Sequence, residues 1–72
     1  MSVQQDALYE LRDIARECSK ALSDMTNDIR DDYHTLYHCV DCIKFMAEEA
    51  YIAGSLELEW HRNRDEVINE LY

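Results

Sequence analysis

The 72-residue chain carries sixteen acidic against seven basic side chains, a net charge of −9, and a surface of that sign repels phosphates and argues against direct nucleic-acid binding. With one glycine and no proline, it has too little turn chemistry for the hairpins of a sheet, so the composition predicts an all-α protein. A chain this short makes one domain, 1–72, whose core is thin enough that a metal, disulfides or oligomerisation usually supplements it.

Three cysteines, Cys18, Cys39 and Cys42, are an odd count without the even pairing of a secreted disulfide framework. Met1-Ser2-Val3-Gln4-Gln5 has neither a basic region nor an apolar run, so no signal peptide is read there. No stretch approaches the roughly 18 apolar residues of a membrane span. The expectation is a cytoplasmic protein with reduced thiols and no membrane partner.

Ser2 and Gln5 stand at capping-box spacing and place the start of a first helix near Val3, running to about residue 25. Taking Leu8 as heptad position a, the a series reads Leu8, Ala15, Leu22, Ile29, Leu36, Ile43, Ala50. The d series reads Leu11, Cys18, Met25, Asp32, Cys39, Met46, Ala53, interrupted only at Asp32. A seam with this period is the signature of helices packed knobs-into-holes. Up to residue 25 the stripe is widened on the g side by Ala7, Ile14 and Ala21. After residue 32 it is widened on the e side by Tyr33, Val40 and Ala47.

Between these halves, Thr26-Asn27-Asp28-Ile29-Arg30-Asp31-Asp32 holds one apolar residue, and Asn and Asp favour turns and helix starts. The chain is therefore expected to reverse near Ser23–Asp28, with a second helix over about 28–53 folding back as an antiparallel hairpin. Gly54-Ser55 is expected to end that helix and cap a third, about 55–71, with Leu56, Trp60, Val67, Ile68 and Leu71 on its apolar face. A two-helix hairpin exposes its stripe edges, here Ile14, Tyr33, Tyr37, Val40, Phe45 and Tyr51. Pairing two hairpins into a dimeric helical bundle would cover them. The competing arrangement is a monomeric three-helix bundle with Trp60 folded over the hairpin.

His34, His38 and Cys42 stand four residues apart on one helical face, with Cys39 beside them. Imidazole and thiolate are zinc ligands, and Asp31, Asp41, His61 or a residue from another subunit could supply a fourth. One straight face cannot easily surround an ion, and Cys39 falls at a core position, so the assignment is no metal and no cofactor. The Cys39/Cys42 pair lies mid-helix rather than at the helix start that activates redox thiols. Phosphate loops, nucleophile elbows, HExxH and Glu-x-x-His are all absent, so no enzyme is expected.

The function expected on these grounds is a non-catalytic, regulatory interaction protein acting through acidic helical faces as a homo-oligomer, with a protein partner that has a basic surface. The interface residues are Leu8, Leu11, Leu22, Ile29, Tyr33, Leu36, Tyr37, Val40, Ile43 and Trp60. Two alternatives are kept. One is an acidic decoy or accessory protein of a bacteriophage or mobile element that modulates a host nucleic-acid-binding protein. The other is a zinc-stabilised bundle.

Overall fold

The computed structural model describes residues 3–25 and 31–72. The described residues form three helices, α1 (Val3–Asp24), α2 (His34–Leu58) and α3 (Arg64–Leu71), with residues 31–32 also helical, and no strand occurs among them. α1 and α2 pack closely as the expected hairpin, and the short α3 returns over one of its faces. The expected cap at Ser2, the turn over 26–30 and the seam residue Ile29 lie outside the described residues.

α1 uses the heptad stripe read from the sequence. Leu8 and Ala15 are buried, and Leu11, Cys18, Leu22 and Met25 are half-buried. The widening falls mainly on the other flank from the one expected: Gln5, Arg12 and Ser19 are half-buried, whereas Ala7 and Ile14 are exposed and Ala21 alone of the expected flank is half-buried. The reason is α3, which lies on the Arg12 side. There Arg16 donates from Nε to the Leu71 carbonyl at 2.5 Å and from Nη2 to the Glu70 carbonyl at 3.0 Å. These are orphan acceptors at a helix C-terminus, where a cation also meets the negative end of the dipole.

α2 departs from the heptad expectation. Leu36 and Ile43, assigned to the seam, are 53% and 45% exposed, and Met46 is 61% exposed. The row facing α1 is Tyr37, Val40, Lys44, Ala47, Tyr51 and Gly54, all buried or half-buried. Each lies one residue beyond its counterpart in the stripe Leu36, Cys39, Ile43, Met46, Ala50, Ala53. One residue is about 100° of helix, so the whole helix is turned by that angle. The shifted row offers small residues at the crossing: a β-carbon built at Gly54 would lie 2.6 Å from Leu8 Cδ2. The turn also carries Tyr51, expected at an exposed edge, into the core with Ile52.

Gly54 therefore serves close approach rather than helix termination. No glycine adopts positive φ among the described residues, and α2 runs on through a buried Ser55 to Leu58. Its last turn closes with the Glu59 N–H on the Ser55 carbonyl at 2.9 Å. At the other end α2 begins at His34 after a break at Tyr33 (φ −123°, ψ 47°), with residues 31–32 helical ahead of it.

α3 starts nine residues later than the sequence suggested. Asn63 is its N-cap, accepting the Glu66 N–H on Oδ1 at 2.9 Å while its amide donates to Glu66 Oε1 at 3.2 Å. Asp65 and Glu66 fill the first turn, where negative charge is favoured. Val67 and Leu71 are fully buried and complete the core with Leu8, Ala15, Ala47, Tyr51 and Ile52. Burying side chains of that size stabilises by roughly 1.5–3 kcal/mol each. Leu56 packs against that core, whereas Ile68 is exposed.

Candidate functional site

Where α1, the end of α2 and α3 meet, an open cleft of about 580 Å³ forms between Tyr9, Arg12, Tyr51, Glu59, Arg62 and Glu70. Its wall is an ionic clasp. Arg62 forks onto Glu70, with Nη1 3.1 Å from Oε2 and Nη2 on Oε1. Its Nε faces Glu66 at 3.5 Å and Glu59 at 3.7 Å. Tyr51 donates to Glu70 Oε2 at 3.4 Å. The hydrogen bond from Arg62 holds the Glu70 carboxyl below its ordinary range, while burial, with Glu70 beside it, pushes the Tyr51 hydroxyl up.

Arg12 lies over the Tyr9 ring at 4.9 Å, and its buried Nε has no hydrogen-bond partner, since Asp13 stands 3.9 Å away. Two further contacts pin α3 to α2. Arg64 pairs with Glu49 at 2.8 Å. Tyr72 donates to Glu48 at 2.6 Å, its ring meeting Lys44 at 5.7 Å.

These contacts sort the charge. Arg16, Lys44, Arg62 and Arg64 are turned to partners within the chain. In contrast Asp6, Glu10, Asp13, Glu17 and Asp24 are all exposed. Their three- and four-residue steps, with Lys20 in the one gap, place them on one face of α1, away from its seam with α2. This acidic stripe spans about 27 Å at 1.5 Å per residue.

Of the interface residues read from sequence, Leu8, Leu11 and Leu22 lie in the α1 seam, and Tyr37 and Val40 are half-buried in α2. Leu36, Ile43 and Tyr33 face solvent. Trp60 does not fold over the hairpin. It is 86% exposed on the connection between α2 and α3, edge-on to His61 at 6.2 Å.

Of the metal candidates, His38 Nε2 and Cys42 Sγ are 3.7 Å apart, and His34 and Cys39 are exposed on the same helix. Among the described residues no group of three or more His, Cys, Asp or Glu is arranged around a common point. The sequence reading missed Tyr51, Arg62, Glu70 and the Asn63 cap. Asn63 followed three residues later by Glu66 was a legible capping signal. The clasp residues carried none, because they converge only through tertiary packing.

No described helix is long and apolar enough to cross a membrane. No known protein family matches the chain, and neither does any curated protein or solved structure.

Proposed function

We propose that this chain is a non-catalytic helical interaction protein that works as a homo-oligomer and engages a basic protein partner through its acidic helical faces. The observation that carries the reading is the α1 stripe, where Asp6, Glu10, Asp13, Glu17 and Asp24 stand exposed together while the described arginines are spent on internal contacts. Such a stripe steers a cationic surface and weakens its grip as salt rises. Trp60, exposed on the connection between α2 and α3, is a further aromatic anchor for a partner.

The test is a titration with a lysine-rich peptide at low and high salt, using the wild type and the triple variant Glu10→Gln, Asp13→Asn, Glu17→Gln. All three positions are exposed, so helicity should be retained. Binding that weakens at least tenfold in the variant supports the reading. Equal binding by both proteins sinks it.

A second reading, the acidic decoy, draws on the spacing of the same stripe. From Asp6 to Glu17 its carboxylates follow one another at about 4.5–6 Å of helix rise, a run of negative charge that resembles a phosphate strand until Lys20 interrupts it. A decoy displaces duplex DNA from a basic DNA-binding protein, whereas a plain interaction protein binds without competing.

A further inference from the structure

The hairpin has two broad faces, and the described residues cover only one. α3 contacts α1 through Arg16 and α2 through Glu48, Glu49 and Tyr51, all on the same side of the α1–α2 plane. A quarter-turn the other way from the seam, α1 presents Ala7 and Ile14, and α2 presents Leu36, Cys39, Ile43, Met46, Ala50 and Ala53. Every one of these is exposed. The Cα framework measures 44 × 23 × 15 Å, a thin dimension that fits two helix layers, the α1–α2 hairpin and α3, with axes about 8–10 Å apart.

We infer that this open face is the seam for a second copy of the chain, with α2 packed antiparallel on α2 of the other copy about a two-fold axis between Ile43 and Met46. The inference rests on the homo-oligomer reading above and names its surface. Three observations select a second copy as the occupant.

The row from Leu36 to Ala53 keeps strict heptad steps without a charged residue, on a chain of net charge −9. It is thus the surface where two such chains approach with least repulsion, and it offers a basic partner no counter-charge. The row is also self-complementary in antiparallel register. Leu36 meets Ala53, Cys39 meets Ala50, and Ile43 meets Met46, so each alanine faces a larger side chain and two bulky residues fill the central layer. A parallel pair would stack Ala50 on Ala50 and Ala53 on Ala53, leaving two consecutive layers underfilled. Finally, among the described residues the fully buried large side chains are Leu71 and Val67, and a small core of that kind is ordinarily completed by oligomerisation. Facing hairpins form a four-helix core with α3 outermost, which leaves the α1 acidic stripe free.

The experiment combines light scattering with cysteine trapping on the full chain. Wild type should scatter near twice the 8.6 kDa chain mass. The double variant Ile43→Glu, Met46→Glu should scatter as one chain with unchanged helical circular dichroism, because both side chains are exposed within a single copy. In the variant Ala50→Cys, mild oxidation should link the introduced thiol to Cys39 of the other copy, identified by peptide mass mapping. A wild type of one-chain mass overturns both the homo-oligomer reading and this inference. A dimer that survives the double variant overturns the inference alone. A Cys39–Cys39 link in wild type overturns the antiparallel orientation.

Discussion

The two faces of the α1–α2 hairpin are built from the same two helices and treated in opposite ways. On the α3 side, polar groups fasten the rim: Arg16 on two terminal carbonyls, Arg62 on Glu70, Arg64 on Glu49, and Tyr72 on Glu48. Beneath them lie Val67 and Leu71, fully buried. On the open side, the residues are apolar, uncharged and bare. The contrast shows that apolar character alone did not decide which face closed. α3 is only eight residues long, and it docks where side chains can satisfy both of its ends. The more regular apolar row was left for something else.

The largest effect should come from the closed face. Leu71→Ala should cost about 2–5 kcal/mol in urea denaturation, the usual range for a buried leucine, and Val67→Ala somewhat less. If either change costs under half a kcal/mol, α3 does not complete the core. Next in size, Asn63→Ala removes the cap of α3 and should cost about 1 kcal/mol. Asn63→Asp should restore most of it, since aspartate accepts the same N–H.

A pH-dependent effect should follow from Glu70. Its folded carboxyl titrates below its ordinary value of 4.5 because Arg62 hydrogen-bonds the charged form. The stabilisation is therefore fully present above that value and is lost as pH falls toward the lowered one. Melting temperature between pH 5 and 3 should fall more steeply for wild type than for Glu70→Gln; parallel curves would remove the clasp from the account. The smallest effect belongs to the open face. In dilute protein Ile43→Ala should change unfolding free energy by no more than about 0.5 kcal/mol, as for an ordinary surface site. At high concentration the cost should grow, because association stabilises by mass action. A cost independent of concentration would mean that the face is not a seam between copies.

Much of the architecture was legible. Composition indicated helices, the heptads in α1 marked Leu8, Leu11, Ala15 and Leu22 correctly, and the two long helices pack as the expected hairpin. The face of α2 was not legible, for a physical reason. Periodicity reports that a helix has an apolar stripe but not which element the stripe will meet. In α2 two adjacent rows qualify, and α1 took the one with Ala47 and Gly54, where backbones can approach. Gly54 misled in the same way: a glycine between two apolar helical runs reads as a stop unless the partner that needs its missing β-carbon, Leu8, is known. The acidic surface was evident from net charge, but its gathering into one α1 stripe emerged only once Arg16, Arg62 and Arg64 were seen to pair within the chain.

The hold of Arg16 on the last carbonyls of α3 has a consequence for the order in which the molecule opens. An eight-residue helix is too short to persist alone in water, and this grip joins residues 55 positions apart, a closure that a folding chain makes late. α3 should therefore behave as the least protected cooperative unit. Its amides should exchange with deuterium ahead of the α1–α2 pair, and Arg16→Ala should accelerate that exchange while leaving the protection at Ala15 and Ala47 nearly intact.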